Sequence, residues 1–291
     1  MMRALWENPQ ARAGLVVFGA MLAVALVGPF LVADPDAFVA RPLSPPSMDH
    51  LLGTTGQGQD VLAQTVVGAR TTLGLGVLVG LLVVAIGSVV GGLAGYFGGK
   101  VDELLSLLIN VSLVLPGLPL MVVLAAYLPA GPGSMAAVLV VTGWAWNARV
   151  VRSQVLSLRK RDFVDAAIVA GESPLRVLVV EILPNMASLL GGAVIGATTY
   201  AIGAQVGLEF LGLGDLSAIT WGTNLYWATN DSALLTGSWW TFVPTGAAIA
   251  LTGFALALLN FGLDGVTNPA LAAGAGTGAP GPQPTPVRRS P

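Results

Sequence analysis

Six long apolar stretches alternate with short polar connections along the chain: roughly residues 13–33, 72–97, 104–128, 134–151, 186–208 and 241–263. A helix needs about 20 mostly apolar residues to cross the hydrocarbon core of a bilayer, and each stretch meets or approaches that length. No charged residue lies between Arg70 and Lys100, between Glu103 and Arg149, between Glu181 and Glu209, or between Asp231 and Asp264. The pattern predicts an all-α integral membrane protein with six transmembrane helices. Trp144, Trp146 and Asn147 place the lower end of the fourth stretch near an interface. Pro29, Pro116, Pro119 and Pro244 lie in the spans and are expected to kink them.

Charge distribution orients the chain. Arg3 and Arg12 precede the first stretch, Lys100 separates the second and third, and Arg149, Arg152, Arg159, Lys160, Arg161 and Arg176 gather between the fourth and fifth. Arg288 and Arg289 lie in the tail. With six crossings these residues share one side, and only Arg41 and Arg70 lie opposite. The positive-inside rule then predicts cytoplasmic termini. The resulting division is a cytoplasmic N-terminus at 1–12, a first span at 13–33, an external loop at 34–71, a five-helix core at 72–264 with an inner loop at 152–185, and a disordered cytoplasmic tail at 265–291, rich in Gly, Ala and Pro. The first stretch exceeds the h-region of a signal peptide and is expected to remain as a span.

Composition narrows the chemistry. The 291 residues are 54% hydrophobic and only 10% charged, against about 25% charged in soluble domains. The absence of Cys excludes disulfides and thiol catalysis, and a single His, His50, excludes metal motifs built on two imidazoles. The predicted spans hold no ionisable side chain, which argues against a proton-coupled stand-alone carrier, the rival transport class. A receptor or scaffold is the third reading. No G-x-x-x-x-G-K-[ST] phosphate loop occurs, so no catalytic residue, nucleotide site, metal or other cofactor is expected on this chain, nor any nucleic acid partner. Glycines 76, 80, 87, 91 and 95 fall on one face of the second stretch, and the pairs 192/196 and 203/207 on the fifth; such faces serve close packing or line a shared pathway.

The inner loop runs Arg159-Lys-Arg-Asp162-Phe163-Val-Asp165-Ala166-Ala167-Ile-Val-Ala170-Gly171-Glu-Ser173-Pro174. It reads as two short helices. Asp162 is the expected N-cap with Asp165 completing a capping box, and Gly171 is the expected C′ terminator. Ser173-Pro174 restarts the helix. An apolar-faced helix flanked by Arg suits docking onto a partner.

Asp165-Ala166-Ala167, Gly171 and Ile182-Leu183-Pro184 are similar to the E-A-A…G…L-P signature of ABC importer permease subunits. His50-Leu-Leu-Gly53-Thr54, Gly58-Gln-Asp60, Gly68-Ala-Arg70-Thr, Gly95-Tyr-Phe-Gly-Gly, Phe210-Leu-Gly212-Leu-Gly214, Trp221-Gly222 and the stretch from Asn260 to Asp264 resemble the second permease subunit of the dipeptide/oligopeptide/nickel subgroup. The resemblance covers about residues 13–269. It implies the type I ABC importer permease fold and a peptide substrate, with nickel or another small solute as the alternative. The implied partners are a homologous permease subunit forming a heterodimer, two cytosolic ATPase subunits carrying ATP and Mg, and an external solute-binding protein, in the lipid of the inner (cytoplasmic) cell membrane.

In such a permease Asp162, Phe163, Asp165, Ala166, Ala167, Ala170 and Gly171 form the coupling helix against the ATPase, with Ala167 expected on the docking face. His50, Gly53, Thr54, Gly58 and Asp60 become candidate external-loop contacts, and Glu209, Phe210, Gly212 and Gly214 candidates for the outer mouth of the pathway. The chain departs from the family where Thr55 replaces an Asp, Gln59 an Arg, Asp165 a Glu, and Glu209 a Ser. Glu209 is expected either as an interfacial carboxylate in water or as an acidic group favouring cationic solutes.

Overall fold

The computed structural model describes residue 6 and residues 8–267. Among these residues the regular structure is helical. Helix α1 (Pro9–Val27) starts at Asn8, whose side chain accepts the Gln10 and Ala11 N–H groups, and runs into a 3-10 turn at Gly28–Phe30. A polar segment follows. Helix α2 (Val61–Phe97) is capped by Asp60, which accepts from the Ala63 N–H. Its 37 residues span about 55 Å, nearly twice the hydrocarbon thickness. The external loop expected to reach residue 71 therefore ends at residue 60. Polar Gln64 and Thr65 sit on this extension, which is why hydropathy alone does not find it.

The third stretch is broken. Helices α3 (Gly99–Val114) and α4 (Gly117–Tyr127) meet at 85°. Leu115 is extended, as a residue before proline tends to be, and Pro116 has no N–H to continue the ladder. Helix α5 (Pro132–Leu158) outlasts its expected end at 151, because Arg152 points back to a bidentate ion pair with Asp102 of α3.

Helix α6 (Asp162–Val169) is followed by a turn at Pro174–Arg176 and a wide π turn at Val177–Ile182. Pro184 would press on the Val180 carbonyl in a regular α-helix, and the widened turn relieves that contact. Helices α7 (Ala187–Phe210), α8 (Trp221–Asn230) and α9 (Val243–Thr267) complete the fold. Residues 265–267 thus belong to α9, and the rest of the expected tail lies outside the described residues.

Close approaches at glycine fix the packing directions. A Cβ at Gly87 would meet Asn147, at Gly91 the Ala148 carbonyl, and at Gly95 the Arg152 carbonyl, so α2 and α5 run parallel. Gly76 against Ile202 and Gly80 against Thr198 make α7 antiparallel to α2. Since α2 and α5 point the same way, the bent pair α3–α4 must carry the chain back across, and it counts as one net crossing. Asn8 donates to the Gly262 carbonyl, which places the start of α1 beside the end of α9. The six crossings therefore return the two ends of the bundle to one side.

Candidate functional site

Three helices line an open cavity of about 630 Å³: α2 supplies Val83, α5 supplies Thr142, Trp146, Asn147 and Val150, and α7 supplies Gly192, Gly196 and Tyr200. Its walls are mainly apolar, with a few polar groups. The Tyr200 hydroxyl donates to the Met121 Sδ at 3.7 Å, and the Thr142 hydroxyl to the Val138 carbonyl at 2.8 Å. Trp146 is largely exposed on this face. The two glycine sets divide between the roles left open by the sequence. Those of α2 pack inside the subunit, whereas Gly196, Gly203 and Gly207 of α7 have open space beside them. Asn147, read as interfacial, lies instead in the cavity, because α5 continues for three further turns.

At the end of the bundle away from α6, the end expected to be outer, Phe210-Leu-Gly212-Leu-Gly214 closes α7. The Gly212 N–H bonds the Glu209 carbonyl at 2.9 Å and the Leu213 N–H bonds the Leu208 carbonyl at 2.9 Å, with Gly212 at φ +80°. This is the paired-bond terminus that favours glycine. The loop then brings Gly214 against Met135 and delivers Thr220 and Trp221 to the bundle.

Glu209 is not a carboxylate in water: it is only 6% exposed. It accepts hydrogen bonds from the Gln205 side-chain amide (3.0 Å), the Thr220 hydroxyl and the Gly222 N–H. Gly222 is needed there, since a Cβ would stand 2.5 Å from Glu209 Oε2. Thr220 and Thr223 form a reciprocal capping box at the start of α8, and the Trp221 N–H and indole N–H donate to Thr72 Oγ1 and the Thr65 carbonyl. Phe210 is partly exposed.

The external-loop candidates fold the loop onto the bundle. The His50 ring contacts Asp60 Oδ2 at 3.1 Å, while the other oxygen of Asp60 caps α2. Thr54 is buried, donates to the Arg41 carbonyl at 2.7 Å, and its own carbonyl accepts from the Trp240 indole. Gly53 and Gly58 hold positive φ (+70° and +82°) in tight turns. Asp231 receives the Gly56 N–H, and burial pushes its carboxyl above the usual range against that hydrogen bond. Asp215 goes the other way, held down by the hydroxyl and N–H of Ser217.

At the opposite end, expected to be inner, α6 forms where expected, but its cap differs. Arg161 is the N-cap residue, Asp162 is the first helical residue, and neither Asp162 nor Asp165 accepts a capping hydrogen bond. Both carboxylates instead lie in the first turn, where they suit the helix dipole. Gly171 sits at φ +85°, with the Gly171 and Glu172 N–H groups bonding the Ile168 and Ala167 carbonyls. Ala167, expected on the docking face, turns inward instead. Phe163, Val164 and Ala167 pack inward on a cluster with Tyr96, Val151, Val155, Val177 and Ile182. The exposed face carries Asp165, Ala166, Ala170 and the two large apolar side chains that sequence reading passed over, Ile168 and Val169, the latter 88% exposed. Their signal was present: two β-branched residues before a terminating glycine, one position off the inward face.

Comparison with known proteins agrees with this architecture. Residues 87–268 match the family of binding-protein-dependent transport system inner membrane components. The chain is 36% identical to the dipeptide transport system permease protein DppC of Bacillus subtilis, over 92% of this chain and 84% of that one. It is 32% identical to the oligopeptide transport system permease protein OppC of the same organism, over 91% and 87%. To the OppC protein of Mycobacterium tuberculosis it is 33% identical, over 78% of each.

Proposed function

The chain belongs to the binding-protein-dependent transport system inner membrane component family, a multi-pass membrane permease family, and from that premise we propose that it forms half of the translocation pathway of an ATP-driven peptide importer. Similarity to dipeptide and oligopeptide permeases over most of the chain carries this reading. The cavity between α2, α5 and α7 has walls from three helices and supplies one side of the pathway. A homologous permease subunit supplies the other, as a heterodimer. The Arg-rich side is cytoplasmic by the positive-inside rule. This chain binds no cofactor of its own; ATP and Mg belong to two cytosolic ATPase subunits, and an external solute-binding protein delivers the peptide.

Coupling follows from the packing. Ile168 and Val169 meet the ATPase, while Phe163, Val164 and Ala167 on the opposite face press on Val151 and Val155 of α5 and Tyr96 of α2. One to two turns up α5 stand Asn147 and Val150, which line the cavity. A shift of α6 is thus passed through close-packed side chains to the pathway wall, and dense interiors transmit such strain.

The test is reconstitution. The complex of this chain with its permease partner, ATPase subunits and binding protein should hydrolyse ATP and accumulate di- or oligopeptide in vesicles, while this chain alone should do neither. A Cys placed at Lys160 should be labelled only from the cytoplasmic side. Peptide uptake by the chain without ATPase subunits, or labelling of that Cys from outside, would contradict the proposal.

A further inference from the structure

A small cavity of about 40 Å³ lies at the outer end of the bundle, where α2, α5 and α7 meet the loop before α8. Its polar lining comes from Thr71, Gln205, Glu209, Asp215 and Thr220. Two deficits coincide there. Glu209 is buried, and among the described residues no Lys, Arg or His pairs with it. Gln205 is fully buried, and its carbonyl Oε1 has no hydrogen-bond partner. Both are costly in an environment that excludes water.

The candidates for repairing them are few. A proton on Glu209 would remove the charge, but it would serve the Gln205 oxygen only if the carboxamide turned over, which would leave its buried NH2 group without the carboxylate acceptor. A water molecule would serve that oxygen but leave the charge. A cation answers both at once. The available ligands are all oxygens (carboxylate, carboxamide, hydroxyl), a hard donor set. Glu209 is the one buried carboxylate of the lining, and with neutral oxygens it balances a single positive charge; Asp215 faces solvent, where water screens its charge. The volume admits one small ion with at most a few water molecules, short of a full hydration shell.

We infer that this cavity binds one small monovalent cation of sodium size, held by Glu209 and the Gln205 carbonyl oxygen with Thr71 beside them. Because Thr220 and Gly222 bind the same carboxylate, the ion ties the outer loop and α8 to α7. This inference is independent of which solute is carried.

The assembled complex in lipid nanodiscs is titrated with NaCl against choline chloride at constant ionic strength, reading the thermal unfolding midpoint. At about ten times the half-saturating sodium concentration the midpoint should rise by about 1–2 °C. The rise should saturate with sodium and be lost in Glu209→Gln and Gln205→Leu. The wild-type titration decides by itself if a variant fails to fold. An equal midpoint in sodium and choline overturns the inference. So does a sodium response kept by Glu209→Gln, or a midpoint that follows pH and ignores sodium, which would mean that a proton closes the site.

Discussion

The outer and inner ends of the bundle are built on opposite plans. Outside, α8 and the 3-10 turn at Trp239–Thr241 have most of their polar groups answered from within the chain: Thr220 and Thr223 cap each other, Trp221 bonds Thr72 and Thr65, Asn224 bonds the Gln64 carbonyl, and Trp240 bonds Thr54. Inside, α6 is held by apolar contact on one face and leaves Ile168 and Val169 bare on the other. A self-contained outer frame and an unfinished inner face are what a device needs when force enters at one end. The frame holds its shape, and the exposed helix waits for the surface that completes it.

The comparison breaks most visibly at Trp221, which is 1% exposed. Trp221→Ala should cost about 3–5 kcal/mol by removing a large buried ring, and it also removes the indole hydrogen bond to the Thr65 carbonyl. The thermal midpoint of the purified complex should fall steeply. An unchanged midpoint would mean that α8 is not the frame of the outer end. At the inner end the opposite is expected. Val169→Asp touches nothing inside the chain, so stability should stay within about 0.5 kcal/mol. Retention of the ATPase subunits should weaken about tenfold or more, the cost of losing an apolar anchor at the centre of an interface. Pull-down beside a thermal scan separates the two effects, and normal retention would remove α6 as the docking element.

The sequence made the spans legible because uninterrupted apolar runs have few other uses. It missed the first three turns of α2, where Gln64 and Thr65 face partners contributed by residues 35, 59, 224 and 245 rather than lipid. The prolines at 116 and 119 announced a kink, but 85° depends on how Leu115 and Pro116 combine. The inner loop was readable as a helix ended by Gly171, yet not in its rotation, since Ala167 and Val169 are both apolar and only packing on Val155 and Ile182 distinguishes them. Glu209 was the least legible residue. Its burial depends on Thr220 and Gly222, which lie after a loop and carry no periodic signal.

Gly171 sharpens the inner half. Its φ of +85° is strained for any residue with a Cβ, by about 1–2 kcal/mol, although open space surrounds it. Gly171→Val should therefore alter the turn without a clash. Uptake should fall while ATPase retention, carried by Ile168 and Val169, stays largely intact, and the ratio of hydrolysis to uptake should rise. Gly171→Asn should restore much of the coupling, because Asn tolerates this backbone region. Equal uptake in all three proteins would make the turn irrelevant to coupling.

The smallest effect concerns Asp231, whose Oδ2 is buried without a partner beside Gly56. Burial raises its folded-state pKa above the unfolded value, so the folded protein holds this proton more tightly than the unfolded chain does. Its contribution to stability is therefore most favourable below the unfolded Asp value of about 4, and declines as pH rises through the raised value. At neutral pH the outer cap carries a mild penalty, limited by the group's partial contact with solvent. Asp231→Asn removes the titration and can keep the Gly56 hydrogen bond. The midpoint of the variant minus that of wild type should be near zero at about pH 4 and become positive toward pH 7. A difference that is flat across this range, or that turns negative, would mean that the ionised carboxylate is welcome there and that the outer end answers even this group from within.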